Sequence, residues 1–277
     1  MPLHGSLIGR KPVPSPEPLP ATVIDAHTHL DACGADTPEL VRAAMTRAAA
    51  VGVAKAVTIA DDLDAARWAA QAATWHPDLY AAVALHPTRA DRLDDETRRT
   101  LRELATQPRV VAIGETGLDH YWQAAPHRKQ AEAFGWHIRL AKDVDKPLMI
   151  HDRNAHEEVF DVLEADGAPE QVIFHCFSGD RAMAQRCADA GYLMSFAGPV
   201  SFSNAADLHA AARIVPAELL LVETDAPFLT PHPHRGAVNE PAALPYTVRA
   251  LAALREDDLG ALCRQLRSNA ERVYRLH

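Results

Sequence analysis

Two histidines separated by a single residue, His27 and His29, end a run of apolar and β-branched residues near the start of the sequence. In a β-strand, residues two apart point to the same side and lie about 6.7 Å apart, so both imidazoles can reach one cation. Asp25 lies two residues earlier and shares that side. A lone histidine on a strand is more often a hydrogen-bonded core residue, whereas this spacing predicts a metal site.

Further residues of ligand type follow later apolar runs, each at the end of a predicted strand. They are Glu115, His151, His175 and Asp225. With the first pair they make four imidazoles and two carboxylates. This mixed nitrogen and oxygen set suits Zn²⁺, Mn²⁺ or Fe²⁺ better than an all-oxygen Mg²⁺ or Ca²⁺ cage. Glu115 has two oxygens and could bridge two cations, with Asp225 completing the first position and the two later histidines the second.

Asp225 could also act as a general base. A carboxylate beside a metal can accept the proton of a bound water, whose pKa the metal brings toward about 7. We therefore predict a hydrolase in which Asp225 and Glu115 are catalytic, and phosphoryl and acyl substrates are both open to its nucleophile. Gly114 and Gly117 flank Glu115 and leave room for backbone near it.

The elements that must bring these residues together are short strands alternating with Ala-rich helical segments. Strands are predicted at 22–30, 54–60, 80–85, 110–114, 147–151, 171–177, 192–197 and 219–224. Helices are predicted at 37–51, 62–75, 94–106, 126–143, 154–165, 180–190, 205–213, 242–254 and 257–275. This alternation indicates an α/β fold, a (β/α)8 TIM barrel, whose C-terminal strand ends share one face. The alternative is a doubly wound sheet, but its Gly-rich phosphate loop is missing after the first strand.

The same barrel face carries candidates for substrate contact. Arg153 could hold a phosphate by a bidentate contact, with an ion pair on the rim as the alternative. Arg235 and Asn239 lie on a Pro- and His-rich loop after the eighth strand, where barrel enzymes often hold phosphate. His86 ends the third strand and faces the pocket. We expect Cys176, which follows His175, to point outward beneath the helices.

Two aromatic residues, Tyr121 and Trp122, follow Asp119 on the predicted rim. Exposed aromatic rings can stack on nucleobases, and ordinary packing is the alternative. Both interpretations stay open from the sequence.

Composition sets the remaining limits. The chain has 277 residues, 48% hydrophobic residues and a formal net charge of −9, which argues against coating nucleic acid through a broad basic surface. Six prolines fall within residues 1–20, which predicts a flexible tail before one domain at 21–277, with an arm packed on the barrel as the alternative.

The four cysteines are widely spaced and no signal peptide or membrane span is recognisable. We therefore expect a cytoplasmic protein with reduced thiols and no membrane contact.

Several motifs together resemble the TatD family of amidohydrolase-like metal-dependent hydrolases, over about residues 22–275. They are His-x-His at 27–29, Gly-Glu-x-Gly-Leu-Asp at 114–119, Ile-His-x-Arg at 150–153, His-Cys-Phe-Ser-Gly at 175–179, Glu-Thr-Asp-Ala-Pro at 223–227, Arg-Gly at 235–236, Asn-Glu-Pro at 239–241 and Asn-Ala-Glu-Arg at 269–272. The resemblance implies a (β/α)8 barrel with one or two metals and, in several members, magnesium-dependent DNase activity. It implies His27, His29, Glu115 and Asp225 as ligands of the first metal. It implies Glu115, His151 and His175 as ligands of the second.

Two enzymatic functions are therefore expected. The first is a deoxyribonuclease that acts exonucleolytically on single strands or ends of DNA with Mg²⁺, Mn²⁺ or Zn²⁺. The alternative is a metal-dependent hydrolase of an ester, amide or aminoacyl-tRNA. A barrel retained as a scaffold ranks below both because all six ligand residues are present. No protein partner is expected, and a monomer is the default.

Overall fold

The protein is described by a computed structural model that covers residues 11–122 and 124–276. Eight parallel strands form one sheet in the order β1 to β8, each strand pairing with the next along the chain. The strands are β1 (Val23–Thr28), β2 (Val53–Ile59), β3 (Leu79–Val83), β4 (Val110–Asp119), β5 (Leu148–Arg153), β6 (Val172–Phe174), β7 (Leu193–Phe196) and β8 (Leu220–Val222). The predicted (β/α)8 fold is confirmed.

Helices cover the outside of the sheet. They are α1 (Pro38–Ala50), α2 (Leu63–Ala72), α3 (Asp95–Ala105), α4 (His127–Asp143), α5 (His156–Asp166), α6 (Arg181–Asp189), α7 (Ala206–Ile214), α8 (Leu244–Arg255) and α9 (Leu259–Val273). Several begin at a side chain that accepts a hydrogen bond from a backbone N–H of the first turn, as Asp62, Asp94 and Asp258 do. These caps satisfy donors that a helix start leaves unpaired, and they fix where the helices begin.

The barrel closes at a seam between β1 and the residues just after β8. The Asp225 N–H donates to the His27 carbonyl at 2.9 Å, and the His29 N–H donates to the Ala226 carbonyl at 2.8 Å. Thr28 and Ala226 form an isolated parallel bridge there. Closure of the barrel therefore sets the backbone of three predicted metal ligands side by side.

Apolar side chains fill the barrel below the strand ends that carry these ligands. They include Ile24, Val57, Ile59, Val111, Met149, Ile173, Leu193 and Leu221. Tyr274 and Leu276, which follow α9, belong to the same buried cluster, and the Tyr274 hydroxyl donates to the Ala26 carbonyl at 3.1 Å. The interior is thus packed rather than open, so the chemistry is confined to the C-terminal face.

The strands differ from their predicted limits in a way that matters for the site. β4 was predicted to end at Gly114 but continues to Asp119, because Thr116–Asp119 pair with β5 after a register shift. β6 and β8 end earlier than predicted, at Phe174 and Val222. The predicted ligands that follow these two strands therefore lie in turns just beyond them.

The predicted tail is partly described. Residues 11–20 lie along the barrel, with Val13 and Leu19 buried. In the loop after β8, the Val238 carbonyl accepts from the Val13 N–H, and the Val238 N–H donates to the Lys11 carbonyl. Side chains of α8 donate to two carbonyls of this segment. We call residues 11–20 the N-terminal arm. Its contacts agree with the alternative to a flexible tail, in which the segment packs on the barrel. Residues 1–10 lie outside the described part of the chain.

Candidate metal centre

The seam brings three predicted ligands to one point. Nε2 of His27 and Nε2 of His29 are 3.1 Å apart, and they lie 3.4 and 3.5 Å from Oδ1 of Asp225. Asp225 has a left-handed backbone with φ of 52°, and its backbone N–H bond to His27 holds the carboxylate above the seam. Both imidazoles are buried, whereas the Asp225 side chain is 13% exposed.

Glu115 adds a fourth ligand atom to this group. Its Oε1 lies 3.6 Å from Nε2 of His27 and 3.5 Å from Nε2 of His29. Ligands held tetrahedrally at about 2.0–2.2 Å from one cation stand about 3.3–3.6 Å from each other. The observed spacings fall close to that range, so the two imidazoles and two carboxylates fit a single divalent cation.

The other oxygen of Glu115 faces a second group. Oε2 lies 2.8 Å from Nε2 of His175 and 3.2 Å from Nδ1 of His151, and these two nitrogens are 3.3 Å apart. Three protein ligands leave positions open for water or substrate, as in catalytic metal sites. Glu115 therefore presents one oxygen to each group, which is the geometry that a bridging carboxylate requires.

Each of the four imidazoles has a partner for the nitrogen that faces away from these groups. Nδ1 of His175 lies 3.2 Å from Oε1 of Glu223, and Nε2 of His151 lies 3.0 Å from Oδ2 of Asp119. Nδ1 of His29 lies 3.2 Å from the Ile59 carbonyl, and Nδ1 of His27 lies 3.1 Å from the Met149 sulfur. Such outer partners fix the tautomer and ring orientation of metal-binding histidines. The donor set and its supports fit a divalent metal centre.

Protons compete with a cation for these buried groups. Burial raises the pKa of the Glu115 carboxyl, but the imidazoles of His175 and His27 outweigh burial and hold it well below its usual range. Burial lowers the pKa of His175, yet the charges of Glu115 and Glu223 raise it well above its usual range. A cation must displace such protons to bind, so metal affinity falls as the solution becomes acidic.

Asp25 was expected on the same side of β1 as the two histidines. It is fully buried, and its carboxylate accepts hydrogen bonds from the Thr224 N–H at 2.9 Å and the Thr224 hydroxyl at 2.6 Å. Burial raises its pKa to about 8. Asp25 therefore ties the end of β8 to β1 beneath the metal groups, and it is absent from the ligand groups found among the described residues.

These groups lie in an open pocket of about 390 Å³. Its lining residues are His29, Asp61, His86, Glu115, Asp119, Trp122, His151, Asp152, Arg153, His175, Cys176, Ser178, Pro199, Asp225, Phe228 and Leu229. Five of them are carboxylates, and Arg153 is the one arginine or lysine among them. An anionic substrate would meet strong repulsion here unless bound cations offset that charge.

The predicted substrate contacts divide into two pairs. His86 and Arg153 line the pocket, and burial lowers the pKa of His86 to about 4. Arg235 and Asn239 do not line it. The Arg235 guanidinium lies over the Phe202 ring at 4.2 Å, and the buried Asn239 amide donates to the backbone carbonyls of the loop after β8. The structure thus gives Asn239 the role of holding this loop in shape.

Three carboxylates near the site were given no role from the sequence. Asp119 and Glu223 orient His151 and His175, and Asp61 lies 3.4 Å from Nδ1 of His29. All three lie at or just after strand ends, and that position in the sequence could have identified them. One prediction was wrong: Cys176 lines the pocket instead of pointing outward. The chain turns there with a φ of 42°, so strand alternation no longer applies.

Comparison with known proteins agrees with this geometry. A sequence model of the family described as TatD related DNase matches residues 24–275, which include all six candidate ligands. The chain belongs to the TatD family. A TatD protein of Mycobacterium tuberculosis, named as an uncharacterized metal-dependent hydrolase, is 57% identical over 92% of this chain and 98% of its own length.

Other TatD relatives extend the comparison. The crystal structure of YjjV, a TatD homologue from Escherichia coli, matches with a TM-score of 0.85 and 26% identity over 92% of this chain and 98% of that one. A protein of Erwinia tasmaniensis named 3′-5′ ssDNA/RNA exonuclease TatD is 36% identical over 73% of this chain and 80% of its own length. This TatD chain is a metal-dependent hydrolase. None of its described helices has the length and apolarity needed to cross a bilayer.

Proposed function

We propose that the protein is a divalent-metal-dependent nuclease that removes nucleotides from the 3′ ends of single-stranded DNA. The observation that carries this proposal is the position of Glu115, with one carboxylate oxygen toward each of two ligand groups in an open pocket. Two cations about 3.5–4 Å apart are the arrangement that many phosphodiester-cleaving enzymes use. The name of the Erwinia relative supports the single-stranded substrate and the 3′-to-5′ direction.

In this proposal the ligands divide as the geometry suggests. His27, His29 and Asp225 would hold one cation, His151 and His175 would hold the other, and Glu115 would contribute one oxygen to each. Bound divalent cations activate water as a nucleophile and offset the charge on phosphate oxygens. The candidate cations are Mg²⁺, Mn²⁺ and Zn²⁺.

Asp225 is the proposed general base. It is the ligand at the seam whose side chain is partly exposed to the pocket, so one oxygen can face His27 and His29 while the carboxylate also meets an incoming water. Its backbone is held on both sides, by its own N–H to His27 and by the Phe228 N–H to its carbonyl at 2.9 Å. The carboxylate therefore accepts the proton from a fixed position.

The size of the pocket favours cleavage at a strand end. Its volume of about 390 Å³ lies at the small end of the range, roughly 300–1,000 Å³, that is typical of small-ligand sites. One terminal nucleotide suits such a pocket better than a duplex does. Arg153, the cation among its lining residues, is placed to contact a phosphate.

The test is cleavage of 5′-labelled single-stranded DNA by metal-stripped protein to which Mg²⁺, Mn²⁺ or Zn²⁺ is restored. A ladder that shortens from the 3′ end is expected, and Asp225→Asn should abolish it while the protein still binds metal. Asp145→Asn is the matched control, because Asp145 is exposed and precedes β5 at the opposite end of the barrel. Absence of cleavage by metal-loaded protein would reject the proposal and direct attention to ester, amide and aminoacyl substrates.

A further inference from the structure

The mouth of the pocket carries two exposed aromatic side chains. Trp122 is 48% exposed and lines the pocket, and the adjacent Tyr121 is 54% exposed. Among the described residues, Leu40 is the one other large apolar side chain with comparable exposure. Leaving an indole half in water forgoes much of the free energy that burial would give, so its position at a site entrance points to a ligand.

This aromatic pair is held firmly despite its exposure. The backbone N–H groups of Tyr121 and Trp122 both donate to Oδ1 of Asp119 at 2.9 Å. The other oxygen of Asp119 lies 3.0 Å from Nε2 of His151. One buried carboxylate therefore fixes both the indole backbone and the orientation of a candidate metal ligand.

A cation completes the arrangement. The Arg153 guanidinium lies 4.0 Å from the centre of the Tyr121 ring and 5.7 Å from that of Trp122. The two rings are perpendicular, with centres 5.1 Å apart. Tyr121 is thus the partner that holds the guanidinium, while Trp122 is the ring that borders the cavity. Aromatic rings interleaved with arginine are typical of surfaces that bind single-stranded nucleic acid.

We propose that Trp122 is a stacking surface for an unpaired nucleobase at the 3′ end of the substrate, with Arg153 beside it for the adjoining phosphate. This proposal rests on the proposed nuclease function and specifies how its substrate is recognised. An interior base of a duplex has both faces covered, and a terminal paired base is held by its partner strand, so stacking on Trp122 inside the pocket favours an unpaired end. The net charge of −9 favours such a local contact over binding through the charge of the whole protein.

The experiment compares two single-stranded oligonucleotides with phosphorothioate linkages, which resist cleavage. They have equal numbers of phosphates, but one lacks its two 3′-terminal bases. Dissociation constants are measured by fluorescence anisotropy with Mn²⁺-loaded protein. For the wild-type protein, loss of the bases should weaken binding about tenfold to a hundredfold, the range expected for base–aromatic stacking.

Variants test whether Trp122 is the source of that preference. In Trp122→Ala the two oligonucleotides should bind within about twofold of each other, and Trp122→Phe should retain a preference because a ring remains. Leu40→Ala, which removes an equally exposed apolar side chain on α1, should keep the full wild-type ratio. The thermal unfolding midpoint of each variant checks that the fold is unchanged.

The outcomes separate this inference from the proposed function. A wild-type protein that binds both oligonucleotides equally, or a preference that survives in Trp122→Ala, overturns the stacking role even if the enzyme degrades DNA. A preference that depends on Trp122 in a protein that fails to cleave DNA supports the stacking surface and rejects the nuclease. Failure of wild-type protein to bind either strand rejects both.

Discussion

Oδ2 of Asp119 lies 3.0 Å from Nε2 of His151, so a carboxylate that is itself outside the two ligand groups sets which nitrogen of His151 faces Glu115. Burial raises the pKa of this carboxyl, but the hydrogen bonds from His151 and the Trp122 N–H, together with the charges of His151 and His86, bring it down to about 2. Asp119 is therefore ionised at neutral pH, and it favours the His151 tautomer that carries a proton on Nε2.

Asp119→Asn should weaken metal binding about 10- to 100-fold, the usual cost of losing an outer partner of a ligating histidine. An amide of the same shape can still accept from the two backbone N–H groups but cannot hold the His151 proton as a carboxylate does. Calorimetric titration of metal-stripped protein with Mn²⁺ measures the change. Asp145→Asn should titrate like the wild type, and equal affinity in both variants would show that Asp119 does not orient the ligand.

Glu115→Gln should abolish binding of the second equivalent of metal. One amide oxygen remains, so the side chain can contact one ligand group and can no longer serve both. Metal content after equilibrium dialysis should fall from two equivalents to one or fewer. The loss of kcat/KM should exceed the roughly 10- to 100-fold typical of outer partners. Two equivalents retained by this variant would contradict a bridging role.

Gly117→Ala should destabilise the protein and disturb His151. Gly117 has a φ of 140°, and an added Cβ would lie 2.1 Å from the His151 carbonyl oxygen. Backbone strain and steric overlap together should cost about 3 kcal/mol in the free energy of unfolding. Urea unfolding measures this cost, and metal titration reports the displaced ligand.

Gly191→Ala is the matched control for that substitution. Gly191 also has a positive φ, of 73°, but nothing lies within 4 Å of an added Cβ. It should show only the cost of strain and normal metal binding. If the two variants were equally stable, close packing of β4 against β5 would not explain the glycine at 117.

Acid should destabilise the fold through His137, which lies on α4 away from the ligand groups. Burial lowers its pKa to about 4, and its Nε2 accepts the Leu85 N–H at 3.2 Å. Between pH 6.5 and 4 the unfolded chain takes up a proton that the folded protein does not. The stability of the neutral form is therefore lost as pH falls through this window, by up to about 3 kcal/mol.

Urea unfolding at pH 7 and at pH 4.5 tests this effect. His137→Gln should be less stable than the wild type at pH 7, because its hydrogen bonds are imperfectly replaced. It should lose less stability than the wild type on acidification, because glutamine does not titrate. An identical pH dependence in the two proteins would assign the acid sensitivity to other groups.

The arrangement of the ligands was predictable because it follows from strand ends. His27, Glu115, His151, His175 and Asp225 each come at or just after an apolar run, and a closed barrel must place such residues on one face. The extension of β4 beyond Gly114, in which Thr116–Asp119 also pair with β5, could not be inferred because glycine usually weakens a strand. That extension places Asp119 beside His151.

The contacts within the site could not be predicted from residue types. The amide of Asn239 could hydrogen-bond a substrate, yet in the structure its NH₂ group donates to two backbone carbonyls of its own loop. Cys176 leaves the pattern of strand alternation because β6 ends two residues before it. Whether a polar side chain faces a ligand or supports its neighbours depends on rotamers and turns, which sequence spacing does not specify.

The N-terminal arm has a consequence for the order of assembly during synthesis. Its contacts with Val238 and with α8 join residues 11–18 to the C-terminal half of the chain, so these contacts can form only after that half has been made. Every second residue from Pro12 to Pro20 is a proline, which lacks the N–H that a pairing strand must donate. The arm is therefore synthesised before these partners, and its prolines disfavour pairing with the exposed edge of an incomplete sheet in the meantime.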